Sequence, residues 1–284
     1  MKVLVTGVKG QLGYDVMKEL AARNIEAVGA DIEEFDITDL EQTRAFITKT
    51  APDVVVHCSA YTAVDKAEEN KELCRKVNAD GPRNIAQVCK ELDAKMMYFS
   101  TDYVFPGKGE NFYEPNDATG PASQYGLTKL EGEQAVQELL KKYFIIRISW
   151  VFGINGNNFV KTMLRLGKER EEINVVCDEI GSPTYTKDLS GLVCDMIATD
   201  KYGIYHATNE GICSWADFTK EIFKIAGYTT KVNPITQAEY GAKAVRPLNS
   251  RMSKEKLVQQ GFSKLPTWQD ALARYIGEFK ENCV

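Results

Sequence analysis

The sequence predicts an α/β fold, a doubly wound parallel sheet followed by a smaller α/β lobe. One observation is a β-branched run over residues 2–6, which ends in a glycine turn and precedes a helical pattern in Val16, Met17 and Leu20. Another is the nearly continuous apolar run over residues 53–60, a pattern typical of strands buried on both faces of a parallel sheet. Strands that alternate with helices in this way indicate βαβ units.

The turn after the first strand has the spacing G-x-x-G-x-x-G, with Gly7, Gly10 and Gly13. Gly7 would permit the tight turn, Gly10 the close approach of a diphosphate, and Gly13 the packing of the helix on the sheet. Because the free N–H groups at a helix N-terminus bind anions, this turn predicts a dinucleotide site in a Rossmann-type sheet.

The predicted second strand, over residues 26–30, ends in Asp31. A carboxylate at this position can accept a hydrogen bond from a ribose 2′-hydroxyl and would repel a 2′-phosphate. We therefore expect NADH to be favoured over NADPH, although the ammonium of Lys9 could still attract a phosphate. The alternative is that Asp31 only ends a strand.

Tyr125 and Lys129 are four residues apart, which places both on one face of a helix that Ser123 can cap. On that face the ammonium would lower the phenol pKa of Tyr125 from about 10 toward neutrality. Thr101 follows a predicted strand over residues 95–100 and could donate a hydrogen bond to the same substrate oxygen. A tyrosine–lysine pair alone is commonly structural, but the three residues together predict proton transfer to a carbonyl or alcohol.

Composition excludes several other classes. A net charge of −5 argues against a nucleic-acid or anionic-membrane partner, and no apolar run approaches membrane-spanning length. The first apolar run reaches Gly7 too soon to form a signal peptide. The seven cysteines form no C-x-x-C pair, and only His57 and His206 could join them, so we expect reduced thiols, no zinc site and a cytoplasmic protein.

A series of characteristic segments extends along the chain at residues 7–13, 60–68, 100–107, 125–129, 147–153, 181–184 and 246–250. In content and order these segments resemble the extended short-chain dehydrogenase/reductases, and within them the dTDP-4-dehydrorhamnose reductases. The resemblance covers nearly the whole chain. It implies a cofactor-binding domain over residues 1–150, rejoined by about 181–207, and a substrate-binding lobe mainly over residues 151–284.

The resemblance also implies roles for single residues. Thr101, Tyr125 and Lys129 would be catalytic, and Thr101, Asp102 and Trp150 would contact a sugar nucleotide. Arg246, in a polar loop, could pair with a diphosphate or be a solvated surface arginine. The expected cofactor contacts are Gly7, Gly10, Gln11, Leu12, Gly13, Asp31, Asp36, Ile37, Ala60, Tyr61, Thr62, Tyr125 and Lys129.

The implied reaction is reduction of the C4 ketone of dTDP-6-deoxy-L-lyxo-4-hexulose to dTDP-L-rhamnose by NADH or NADPH. Two alternatives remain, a nucleotide-sugar epimerase or dehydratase on the same scaffold, and a cofactor-binding regulatory subunit without activity. Magnesium is possible through Asp15 and Asp188, but no ligand set is visible and we expect no metal site. Glu179 replaces a glutamine common in related sequences and adds negative charge on the expected substrate side. The chain could be a monomer or a homodimer.

Overall fold

The computed structural model describes residues 1–282 and is built on a six-stranded parallel sheet. The strands are β1 (Lys2–Thr6), β2 (Glu26–Ala30), β3 (Val54–His57), β4 (Lys95–Thr101), β5 (Tyr143–Ile148) and β10 (Gly203–His206). In space they follow the order β2-β1-β3-β4-β5-β10, and every neighbouring pair is parallel. The predicted doubly wound sheet is therefore confirmed, with its topological switch point between β1 and β3.

Helices cover both faces of this sheet because side chains of each strand alternate between the two faces. These helices are α1 (Gln11–Ala22), α2 (Leu40–Thr50), α5 (Gly81–Glu91), α6 (Gln124–Leu139) and α8 (Thr186–Ile197). Val3 and Val5 of β1 pack into one buried cluster with α1 and α8, whereas Leu4 packs into the other with α2, α5 and α6. Between β3 and α5 lie α3 (Val64–Ala67), α4 (Lys71–Arg75) and a π-helical turn over Lys76–Asp80, and a 3₁₀ turn over Asp102–Val104 follows β4.

A second core forms around aromatic side chains, among them Phe152, Tyr185, Phe218 and Tyr275. The chain leaves this core to add α8 and β10 to the main sheet and then returns, so the two cores are interleaved in sequence. The domain boundary near residue 150 stays a prediction. The remaining elements are β6 (Val151–Phe152), α7 (Phe159–Glu169), β7 (Glu172–Val176), β8 (Ile180–Gly181), β9 (Thr184–Tyr185), β11 (Cys213–Ser214), α9 (Trp215–Ala226), β12 (Lys231–Ile235), α10 (Gln237–Tyr240), α11 (Glu255–Gln259) and α12 (Trp268–Asn282).

The strand predicted over residues 53–60 is shorter in the structure. β3 ends at His57, where its ladder with β1 ends at Thr6, although β4 on its other side continues to Thr101. The residues that follow leave the sheet and form a loop at its carboxyl edge. The predicted helix cap at Ser123 is confirmed, since its hydroxyl accepts a hydrogen bond from the N–H of Gly126 at 3.2 Å.

Six cysteines are free thiols in the described part of the chain, and Cys283 lies outside it. Within residues 1–282 no helix combines the length and apolar character that crossing a membrane requires.

Candidate active site

A cavity of about 890 Å³ opens at the carboxyl ends of the strands, from the switch point to β5. Among the residues predicted to bind cofactor or substrate, Gly13, Tyr61 and Arg246 do not line it. Its lining does include Gly7, Gly10, Gln11, Leu12, Asp31, Asp36, Ile37, Ala60, Thr62, Thr101, Asp102, Tyr125, Lys129 and Trp150.

The glycine turn forms one end of the cavity. Gly7 has φ +68°, and a Cβ there would lie 2.8 Å from the backbone nitrogen of Ser59, so only glycine fits. Gly13 packs behind the turn and does not line the cavity, and a Cβ there would overlap the carbonyl oxygen of Gly7, so this close approach requires glycine. Gly10 provides no side-chain cap for α1, so the first N–H groups of that helix suit a diphosphate.

Near the carboxyl end of β2 the cavity is acidic and exposed. The carboxylate of Asp31 accepts hydrogen bonds from the backbone N–H groups of Lys9 at 3.0 Å and Ile32 at 2.9 Å. The ammonium of Lys9 pairs with Glu33 at 2.5 Å, and this hydrogen bond is the main reason why the pKa of Lys9 is raised. The positive charge of Lys9 is therefore balanced by the carboxylate of Glu33 in the structure.

The loop after β3 is held by Asn78, on the π-helical turn. The side-chain oxygen of Asn78 accepts a hydrogen bond from the N–H of Tyr61 at 2.8 Å, and its amide donates to the carbonyl of Tyr61 at 3.0 Å. Both backbone groups of Tyr61 are satisfied in this way, which fixes the loop and leaves its neighbours Ala60 and Thr62 to line the cavity.

Buried polar groups form the other end of the cavity. The hydroxyl of Thr101 donates to Oδ1 of Asp102 at 2.9 Å, and the hydroxyl of Ser250 donates to Oδ2 of the same carboxylate. Burial raises the pKa of Asp102 to about 6, although both hydrogen bonds oppose the rise. Burial also raises the pKa of Tyr125 well above 10.

The expectation that the ammonium of Lys129 lowers the phenol pKa of Tyr125 is wrong in this structure. The ammonium of Lys129 donates to the carbonyl of Phe99 at 2.6 Å and lies 4.1 Å from the ring centre of Tyr98. Burial lowers the pKa of Lys129 to about 7. Because desolvation disfavours the charged form of both side chains, it moves the pKa of Tyr125 up and that of Lys129 down.

Trp150 adopts a left-handed backbone conformation with φ +52°, which is uncommon for a bulky side chain. Strain of this kind, on the order of 1–3 kcal/mol, is concentrated at functional sites. The backbone carbonyl of Trp150 accepts a hydrogen bond from the N–H of Thr184 at 3.2 Å. The Trp150 ring stacks on that of Trp215 with the ring centres 3.7 Å apart.

Trp215 also lines the cavity, although no sequence motif marked it as a site residue. Its indole N–H donates to Glu179 at 2.9 Å, and the amide of Gln237 donates to the other oxygen of Glu179 at 2.9 Å. Burial raises the pKa of Glu179. The helix cap at Ser214 is a sequence signal that could have indicated Trp215, because the residue that follows an N-cap is fixed in the first turn of the helix.

Arg246 is neither a solvated arginine nor part of the cavity lining. Its Nη2 pairs with Asp65 at 2.6 Å, and Asp65 also accepts a hydrogen bond from the N–H of Ala244 at 3.1 Å. This contact joins the loop before Asn249 to α3 of the main-sheet region. The buried Nε of Arg246 has no hydrogen-bond partner within residues 1–282.

The two acids considered for magnesium are engaged by protein donors. Asp15 accepts a hydrogen bond from the hydroxyl of Thr186. Asp188 accepts two from the guanidinium of Arg274, at 2.7 and 2.8 Å, and one from Asn209. In the described part of the chain no three histidine, cysteine or acidic side chains come together as a metal site.

Similarity to known proteins extends over nearly the whole chain. The model of the RmlD substrate binding domain matches residues 1–281. The spore coat polysaccharide biosynthesis protein SpsK of Bacillus subtilis is 38% identical over 282 residues, which cover 99% of each chain. The dTDP-4-dehydrorhamnose reductase of Escherichia coli is 37% identical over 292 residues, with 98% of each chain covered.

A solved structure of dTDP-4-dehydrorhamnose reductase from Bacillus anthracis, in complex with NADP, superposes with a TM-score of 0.95 and 44% identity. The match covers 98% of this chain and 99% of that one. These findings confirm the resemblance inferred from the sequence motifs. The chain belongs to the RmlD substrate binding domain family, whose members include dTDP-4-dehydrorhamnose reductases.

Proposed function

We propose that the protein reduces the C4 ketone of dTDP-6-deoxy-L-lyxo-4-hexulose to dTDP-L-rhamnose, with hydride from NADH or NADPH. The observation that carries this proposal is the single cavity that joins the glycine turn at Gly7 to Tyr125 and Lys129. Relatives named dTDP-4-dehydrorhamnose reductase match this chain over nearly its whole length, which supports the substrate class. The partner is accordingly a small nucleotide sugar.

Tyr125 is the proposed proton donor. Because burial holds the pKa of Tyr125 above its ordinary value, the phenol keeps its proton at neutral pH until a substrate oxygen gains negative charge. Lys129, with a pKa near 7, can carry the charge that stabilises the tyrosinate left behind. We also assign Lys129 to the nicotinamide ribose.

Thr101 and Asp102 are proposed to bind the reacting end of the sugar. Thr101 donates its only hydroxyl proton to Asp102 in the structure, so polarising the ketone requires that this proton be donated to the substrate instead. Asp102 would then accept from Ser250 and from a sugar hydroxyl. Trp150 and its stacking partner Trp215 form the apolar wall beside Thr101 and Asp102.

The dinucleotide supplies the hydride when bound. The glycine turn at Gly7 and Gly10 fits its diphosphate, and the loop at Ala60 and Thr62 fits the ribose near the nicotinamide. Asp31 supports a preference for NADH, because its carboxylate is at the end of β2, where a ribose 2′-hydroxyl would bind. The NADP complex of the Bacillus anthracis relative supports acceptance of NADPH as well.

The test is to mix the full chain with dTDP-6-deoxy-L-lyxo-4-hexulose and either cofactor, and to follow the loss of reduced nicotinamide absorbance. Stoichiometric oxidation with dTDP-L-rhamnose as product is the expected result. Turnover of the sugar without net cofactor oxidation would indicate an epimerase or dehydratase. Cofactor binding without any turnover would indicate the regulatory subunit. A ratio of kcat/KM in favour of NADPH would contradict the cofactor preference.

We further propose a cytoplasmic location. The six free thiols of the described chain suit a reducing compartment, where reduced cysteines persist. Labelling of these thiols in intact cells by a permeant but not by an impermeant reagent would agree with this location.

A further inference from the structure

A loop of the second core crosses onto the glycine turn of the main sheet. We define the interlobe loop as residues 153–158, between β6 and α7. The side-chain amide of Asn155 donates to the backbone carbonyl of Lys9 at 2.7 Å. Gly156, Asn157 and Asn158 line the same cavity as the glycine turn.

Asn158 uses the two ends of its side chain for different purposes. Its oxygen accepts from the backbone N–H of Lys161 at 2.9 Å and so caps α7. Its nitrogen lies 2.8 Å from the carbonyl of Gly153, 3.1 Å from the side-chain oxygen of Gln11 and 3.3 Å from the hydroxyl of Tyr275, so its two hydrogens are shared among three acceptors. The cap is a local contact, whereas the bond to Gln11 joins the two cores.

The contact with Gln11 fixes the direction of its amide. A glutamine amide has an acceptor oxygen at one end and a donor nitrogen at the other. With the oxygen held by Asn158, the nitrogen end is left for a ligand in the cavity that Gln11 lines. A Cβ at Gly156 would lie 3.4 Å from Cγ of Gln11, so the loop backbone also packs against this side chain.

Lys161 holds the interlobe loop in its shape. Its ammonium donates to the carbonyl of Ile154 at 2.6 Å and to that of Gly156 at 2.7 Å. The loop is therefore fastened to α7 on one side and contacts the glycine turn through Asn155 and Asn158 on the other.

We propose that the interlobe loop is a second wall of the dinucleotide diphosphate site, in which Asn158 is a positioning residue that turns the amide N–H of Gln11 toward the diphosphate. This inference rests on the proposed function, because it requires a nicotinamide dinucleotide in the cavity. It assigns part of the cofactor site to the lobe that was expected to bind the sugar nucleotide.

Asn158→Ser tests the proposal. Serine is also a good N-cap, so α7 keeps its cap, while the shorter uncharged side chain loses the bond to Gln11. We expect the Kd of NADH and of NADPH, titrated by fluorescence without sugar nucleotide, to rise about two- to tenfold, the effect of one net hydrogen bond. Tyr275→Phe is the matched control, since it removes another partner of Asn158 and should leave both Kd values unchanged.

A double-mutant cycle with Gln11→Ala separates positioning from a merely structural contact. If Asn158 acts through Gln11, Asn158→Ser should add nothing to the Kd in the Gln11→Ala background. An equal rise in both backgrounds, or no rise in either, would overturn the inference. The thermal unfolding midpoint of each variant reports any loss of folding.

The outcome for the parent protein distinguishes the two proposals. Cofactor binding that depends on Asn158, without reduction of the keto sugar, would refute the proposed function but support the proposed role of the interlobe loop. Normal reduction with unchanged Kd values in Asn158→Ser would do the reverse. A parent that binds neither NADH nor NADPH would overturn both.

Discussion

The two ends of the cavity hold their charges in opposite surroundings. At the end of β2, the side chains of Lys9 and Glu33 are 65% and 55% exposed, and their ion pair is in water. At the end of the cavity that holds Thr101 and Tyr125, which we propose to be the catalytic end, Asp102 and Lys129 are only 2% and 3% exposed. Their pKa values of about 6 and about 7 are displaced from the ordinary values mainly by burial.

This difference shows where charge can be decisive. In water, an ion pair is screened and its partners can exchange at little cost, so the exposed end can accept ligands of different charge. In the buried end each ionisation is opposed by desolvation, so protonation states are tied to the fold. We therefore expect substitutions at the catalytic end to have large effects and those at the exposed end small ones.

The largest effect is expected from Tyr125→Phe at the buried end. Loss of the proposed proton donor should lower kcat on the order of 10²–10⁴-fold, whereas the Kd of NADH stays near that of the parent. Tyr103→Phe is the matched control, because Tyr103 packs edge-on against Tyr125 with ring centres 5.4 Å apart. Steady-state rates with both cofactors measure the effect. Comparable kcat values for Tyr125→Phe and the parent would refute the assignment.

The next effect concerns stability and Asp102. Its pKa is about 6 when folded, above the ordinary value of 3.8, so the native state binds the extra proton between these two values. Stability from this group is therefore fully present below pH 4 and is lost as the pH rises through 6. The loss amounts to about 3 kcal/mol, and Asp102→Asn should not show it.

Urea unfolding of the parent and of Asp102→Asn across this pH range measures the difference. Asp80→Asn, which removes an exposed carboxylate, is the control and should follow the parent. A parallel pH dependence of the parent and Asp102→Asn would contradict the buried, proton-binding state of Asp102.

A smaller effect is expected from Asp31→Asn at the exposed end. Removing this carboxylate removes its repulsion of a 2′-phosphate, so the ratio of kcat/KM should shift toward NADPH by about tenfold. An unchanged ratio would leave Asp31 as a residue that only ends a strand. Added salt should weaken the shift, since the site is open to water.

The smallest effect is expected from Glu33→Gln. This change releases the ammonium of Lys9 from its ion pair, which should favour NADPH by less than about threefold because exposed pairs are weak. The measurement is the same ratio of kcat/KM at low and high ionic strength. A shift larger than that of Asp31→Asn would reverse the order proposed for this end of the cavity.

Much of the frame could be predicted because its signals are local in sequence. A β-branched run, a glycine turn and an apolar periodicity predicted β1, α1 and their turn, and β1 spans Lys2–Thr6 as expected. The Ser123 cap and the four-residue spacing of Tyr125 and Lys129 likewise predicted their shared helix, α6. Hydrogen-bonding patterns and turns of this kind depend on neighbouring residues only.

Other features depend on residues far apart in the chain. The stack of Trp150 on Trp215 and the bond from Asn158 to Gln11 join side chains 65 and 147 positions apart. Arg246 finds Asp65 only because two loops meet in the fold. No local pattern states which distant side chains become neighbours, so these contacts could not be predicted.

The sequence by itself determined the doubly wound sheet, the glycine turn and the residue types at the catalytic end. Only the tertiary structure decided their ionisation, because desolvation depends on everything packed around a group and not on its neighbours in sequence. The spacing of Tyr125 and Lys129 suggested a lowered phenol pKa, yet burial raises that pKa, and the ammonium of Lys129 donates its hydrogen bond to the carbonyl of Phe99. The secondary structure and turns that depend on neighbouring residues thus follow from the sequence, whereas the pKa values of buried groups follow from the packing around them.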